Sequence, residues 1–91
     1  MANSFKTEEQ LKADLENAKK LVPLGKYAHY KHPGDPKYEV IGVGIIENTE
    51  GVCVIYKNNL GWLWVRTLED FTSEVEVDGK KIRRFKKFDG K

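Results

Sequence analysis

Both histidines and three of the four tyrosines fall in the stretch GKYAHYKHPGDPKYEV, Gly25 to Val40. An imidazole can act as a general base or hold a metal ion. His29 and His32 stand three residues apart. On a helix that spacing would put both on one side, but on a strand they point to opposite faces. No Cys or His pair elsewhere completes a zinc set, so no metal site is expected. Cys53 lies in VCVIY. A nucleophilic thiolate needs a base within reach and an electropositive, partly open setting. A cysteine flanked by valines reads instead as a small packed side chain, and a Cys53–His29 dyad is the remote alternative. GVGIIE, with Gly42 and Gly44, lacks the third glycine of a phosphate loop and precedes no helix. Those glycines let the sheet bend, or leave room for Trp64 across the strand. No acid–base pair stands at a readable spacing, so neither an enzyme nor a cofactor is expected.

Residues suited to binding are easier to find. GWLWVR places Trp62, Trp64 and Arg66 on one face of a regular strand. Aromatic faces beside an arginine can stack bases, hold a cation or anchor a peptide. Tyr27, His29 and Lys31 share one face of an earlier strand, and Ala28, Tyr30 and His32 share the other. KKIRRFKKF, Lys80 to Phe88, interleaves cations with phenylalanine, as a nucleic-acid contact strip does.

The elements that must position these residues are a helix and a series of strands. Thr7 and Gln10 form a capping box. Leu11, Leu15, Ala18 and Val22 follow on one helical face. Glu8 and Glu9 at one end and Lys19 and Lys20 at the other complement the helix dipole. Pro23 and Gly25 stop the helix, which is expected over 8–21. The period then changes to two. Strands are expected over 25–32, 38–47, 52–57 and 62–67, and LEDF forms a helical turn. A hairpin over 74–85 turns at Asp78-Gly79, pairing Glu74 with Arg83, Val75 with Ile82 and Glu76 with Lys81. Short strands joined by tight turns point to a small antiparallel barrel.

Opposing Glu47 with Val52 and Lys57 with Trp62 puts Ile41, Val43, Ile45, Val52, Val54, Tyr56, Leu63 and Val65 on one core face. Gly42, Gly44, Ile46, Cys53, Ile55, Lys57, Trp62, Trp64 and Arg66 then form the outer face. It is too apolar for bare solvent. The N-terminal helix is expected to cover it, with a ligand or partner as the alternative, and a one-residue slip at either turn would exchange the faces.

Length and composition set the remaining bounds. Ninety-one residues make one domain. A formal charge of +2 implies no polyanion by itself. The single cysteine allows no internal disulfide and fits a reducing compartment. No signal peptide and no membrane-spanning run is visible. A cytoplasmic location is the expectation.

The ordered set of residues over Leu24–Phe88 resembles the DUF1653 family of small bacterial domains. Gly25, Tyr27, His29, Tyr30 and Lys31 carry G-x-Y-x-H-Y-K, and Tyr38, Glu39, Val40 and Gly42 carry Y-E-V-x-G. Val54 and Tyr56 follow, then Leu63, Trp64, Val65, Arg66, Leu68 and Phe71. Val75, Val77, Asp78, Gly79, Arg84 and Phe85 close the pattern. Thr67 stands where the family usually has proline, and HPGDPK lengthens the first loop. The resemblance implies a compact, mainly β domain and no enzyme class. It puts Tyr27, His29, Tyr30, Lys31, Glu39, Trp64 and Arg66 in the family pattern.

The combined expectation is an N-terminal helical extension over 1–23, a β domain over 24–88 and a tail over 89–91. The β domain is an SH3-like, strongly bent sheet of five to six strands. Its expected role is non-catalytic binding of a protein, peptide or small polar or anionic ligand. The expected surface joins Tyr27, His29, Tyr30, Lys31 and Glu39 to Trp62, Trp64 and Arg66. The alternatives are single-stranded nucleic-acid (RNA) binding through Trp62, Arg83, Lys86 and Phe88, and a structural module that dimerises through its outer face. No membrane partner is expected.

Overall fold

The computed structural model describes residues 6–88; the tail over 89–91 lies outside them. Helix α1 runs Glu8–Leu21. Thr7 Oγ1 accepts from the Gln10 amide at 3.1 Å, and Gln10 Oε1 accepts from the Thr7 amide at 3.0 Å. The capping box therefore satisfies two amide donors that the helix cannot. Ala18 and Val22 are the buried members of its apolar stripe.

Seven strands follow: β1 (Gly25–His29), β2 (Tyr38–Ile46), β3 (Gly51–Lys57), β4 (Leu63–Thr67), β5 (Glu74–Val77), β6 (Lys80–Arg83) and β7 (Phe85–Lys87), with helix α2 (Leu68–Phe71) between β4 and β5. Five of them make one antiparallel sheet in the order β4-β3-β2-β1-β7, and β5 and β6 make a separate hairpin. The large sheet is not closed but strongly bent. Arg66 on one edge strand lies 5.4 Å from the centroid of Phe85 on the other. The described fold is mainly β, with the expected helix in front of it.

The hairpin forms in the expected register. Asp78 and Gly79 both adopt positive φ, 53° and 78°, as a type I′ turn demands. Its strand pattern breaks at Arg84, whose amide turns to the Ser73 carbonyl at 2.9 Å. Phe85 then begins β7, which pairs with β1. This is why the alternation fails there.

Two registers differ from expectation. Between β2 and β3, Ile45 opposes Val52 and Val43 opposes Val54. The loop is Glu47–Glu50, with Glu50 at φ 60° and its amide bonded to the Ile46 carbonyl at 2.6 Å. The shift is even, so the faces survive, but a bulge between Val40 and Gly42 turns Ile41 outward. Val40 is buried and Ile41 is exposed. Between β3 and β4, Leu63 rather than Trp62 opposes Lys57. Asn58 Oδ1 accepts from the amides of both Leu60 and Trp62 at 3.0 Å, and Gly61 adopts φ 83°. This turn holds one residue more than the four expected. An odd shift reverses every side chain of the strand. It moves Trp64 and Arg66 to the inner face and turns Leu63 and Val65 outward, 65% and 58% exposed.

The core joins Val22, Tyr27, Val40, Val54, Tyr56, Phe71 and Phe85. Phe71 and Phe85 stack at 4.3 Å, within 2° of parallel. Helix α1 thus packs on the inner face, through Val22 beside Val40 and Val54, and not on the outer face for which it was expected. The outer face carries Ile46, Cys53, Ile55, Leu63 and Val65. At Gly44 it leaves room for the Ile55 and Cys53 side chains, and not for Trp64. Thr67 caps α2 by accepting from the Asp70 amide at 3.1 Å. Its φ of -63° is one that proline would also hold.

Candidate functional site

β1 ends at His29, three residues short of the expected strand. The His32 amide returns to the His29 carbonyl at 2.9 Å, and the Lys31 amide donates to His29 Nδ1 at 3.2 Å. Lys31 is therefore an exposed turn residue and not a third member of the Tyr27–His29 face. Tyr30 folds back on His29, with ring centroids 4.6 Å apart.

His29 meets the edge of Phe85 at 5.1 Å and stands 6.3 Å from Tyr38. Arg66 approaches the same Phe85 from β4. Its Nε donates to Tyr56 Oη at 3.1 Å, and its guanidinium pairs with Asp70. Asp70 also lies 3.9 Å from the Arg84 guanidinium, which donates to Ser73 Oγ at 3.0 Å. Burial pulls the Arg66 pKa down, but the bonds to Tyr56 and Asp70 outweigh it, and the net shift is upward. Burial lowers the His29 pKa below 6.5, and Arg66, Lys31, Arg84 and His32 push it the same way, since a nearby cation disfavours the charged imidazole. The imidazole is neutral at neutral pH, as its accepting Nδ1 requires.

The remaining candidates divide. Tyr27 is buried, and its hydroxyl donates to the Pro23 carbonyl at 2.7 Å. Burial pushes its pKa up to about 12 against an opposing pull from Arg83. It holds the end of α1 against the sheet and offers no binding surface. Glu39 faces the other side, between Lys26 at 3.8 Å and Lys57 at 3.7 Å, and is separated from His29 by the sheet. Trp62 and Trp64 are 59% and 45% exposed, with centroids 6.3 Å apart, so the helix does not bury them. They stand at the β4 edge.

A groove of about 750 Å³ opens where β1 meets β6 and β7. Ala28, His29 and Tyr30 line it, with Pro33 and Gly34 of the long loop. Ile82, Arg83, Lys86, Lys87 and Phe88 complete the lining. Two sets of residues that the sequence kept apart, His29 with Tyr30 and Arg83 with Lys86 and Phe88, thus line one cavity. Among the described residues no acidic side chain lines it. Arg83, Lys86 and Lys87 make no ion pair among the described residues. Lys87 was missing from the sequence-derived site. Its signal is the strand period: Lys86 and Lys87 are neighbours on an edge strand, so they flank it on opposite faces. Among the described residues no three His, Cys, Asp or Glu side chains converge to hold a metal ion, and no helix is long and apolar enough to cross a membrane.

The bent sheet with helices on its inner face defines a small, mainly β domain. Residues 25–87 match the family described as protein of unknown function (DUF1653), and the chain belongs to that family. The match spans all seven strands and leaves α1 outside. No curated protein and no solved structure matches the chain.

Proposed function

We propose that this protein is a non-catalytic binding module that takes an anionic ligand in the groove between β1, the 30–37 loop and β6–β7. The observation that carries this reading is the lining: Arg83, Lys86 and Lys87 stand beside His29, Tyr30 and Phe88, and among the described residues none of the three cations makes an ion pair, although Glu74 stands opposite Arg83 in the β5–β6 register. Cations left unpaired around a concave, partly aromatic surface attract a negative partner, and the rings add contact area. Trp64 on the opposite edge strand β4, and Trp62 in the turn before it, are not part of this groove. Arg66 supports it indirectly, by packing on Phe85 behind His29.

The test is an NMR titration with tripolyphosphate, a short polyglutamate and a mixed-sequence oligonucleotide. The reading expects at least one of them to shift the amide resonances of His29, Tyr30, Arg83 and Lys86 as a contiguous set. If all three leave that set unmoved, the groove is not an anion site.

A further inference from the structure

The geometry points to a single-stranded polynucleotide as the occupant of the groove, an inference that rests on the anion-binding reading above. Two features of the lining favour it over other anions. The first is how the cations are placed. A small anion is held by donors that converge on one point. Here Lys86 and Lys87 project from opposite faces of the β7 edge strand, and Arg83 comes from a different strand in the β5–β6 hairpin. Lys87 reaches back over β1, where a side chain at position 25 would meet its Nζ at 3.1 Å. Cations spread across an edge in this way suit a ligand whose charge repeats along a chain.

The second feature is the rings. Tyr30 and Phe88 are half-buried, and each keeps part of its surface in the groove. A single strand supplies a phosphate and a flat base in every repeat, so it uses both the cations and the rings. An acidic peptide answers the cations and leaves the rings without stacking partners. A duplex keeps its base faces stacked on one another and so offers the rings no stacking partner. The long HPGDPK loop contributes Pro33 and Gly34 to the wall, so the lengthened loop shapes this side of the groove.

If three phosphates are neutralised, the logarithm of affinity falls with the logarithm of salt with a slope of about −2 for a single strand. Fluorescence anisotropy of labelled 12-nucleotide RNA and DNA strands, their duplexes and a polyglutamate peptide tests this between 50 and 200 mM salt (about the range over which counterion release is resolved). Single strands should bind more tightly than duplex or peptide. Lys86→Ala should flatten the slope by about 0.7. Phe88→Ala should weaken binding about tenfold with the slope unchanged, because stacking releases no counterions. Lys12→Ala, on the exposed side of α1, should change nothing. Binding of duplex or peptide in preference to single strands overturns the inference. So does binding that Lys86→Ala and Phe88→Ala leave intact. If tripolyphosphate or polyglutamate still shifts the groove resonances while oligonucleotides do not, only the polynucleotide assignment falls. If no anion shifts them, the anion-binding reading falls with it.

Discussion

Phe85 is the residue on which core and site meet. It stacks on Phe71 within the core, takes the Arg66 guanidinium over its ring and presents its ring to His29. Phe71 is a wholly buried ring. Phe71→Ala should therefore cost about 3–5 kcal/mol, which urea denaturation measures. His29 gives a pH signature. Its folded pKa lies below the unfolded value of 6.5, so below that pH the unfolded chain binds the extra proton more readily. The stability it contributes is present above pH 6.5 and is lost as pH falls through the depressed folded value. The urea midpoint of the native protein should fall toward that of His29→Gln as the pH is lowered from 7.5 to 5, and parallel curves would sink the assignment. Arg66 on β4, Tyr38 on β2, Arg84 before β7, and Lys31 and His32 in the loop surround this imidazole. Apart from Tyr38 all are cationic or can become so. A bound anion should therefore raise its pKa, and the affinity of the groove for tripolyphosphate should increase on acidification, as calorimetry at the two pH values would show.

Turns decided which way the strands face. The Asp78-Gly79 hairpin was legible because turn type, apolar pairing and charge pairing agreed. Position 79 sits at φ 78° with open space around it. Gly79→Ala should cost about 1–2 kcal/mol, a penalty of backbone conformation alone, and thermal unfolding would register it. The β3–β4 turn was not legible. Nothing in NNLG announces that Asn58 will take two amides and enlarge the loop by one residue, yet that residue sends Trp64 and Arg66 inward. The consequence is an outer edge bearing Leu63 and Val65. An edge strand with exposed apolar side chains invites pairing with other chains. Val65→Lys should leave the unfolding free energy within about 0.5 kcal/mol of native and raise the concentration at which light scattering detects aggregates.

Across the molecule, one bend in the sheet sets Arg66 behind the groove. β4 and β7 are the two edges of a five-stranded sheet, and in a flat sheet Arg66 and Phe85 would be separated by the three strands between them. Curvature and α2 bring them together over Phe71. The helix outside the family match is part of the same core: Val22 packs with Val40 and Val54, and Tyr27 bonds to Pro23. Removing residues 1–23 takes away Val22, a fully buried side chain worth about 1.5–3 kcal/mol. It also removes the Tyr27 partner. The shortened chain should unfold at a lower urea midpoint, as a fluorescence-monitored titration would show; an unchanged midpoint would mean that the helix is dispensable.

Local pattern fixed the elements: the capped helix over 8–21, the LEDF turn, the final hairpin and the family membership carried by ordered motifs. These depend on neighbours in sequence, where spacing and turn chemistry suffice. The sequence also named His29, Tyr30, Arg83, Lys86 and Phe88, but placed them in two competing surfaces. Only the tertiary structure joined them, because β7 leaves the hairpin at Arg84 and pairs with β1, far earlier in the chain. It likewise removed Tyr27 and Glu39 from the groove and brought α1 to the inner face. The side on which Glu39 lies turns on a bulge at Ile41, and that of Trp64 and Arg66 on one extra residue in the β3–β4 turn; a period-two pattern cannot reveal a one-residue change of register that reverses which face is buried.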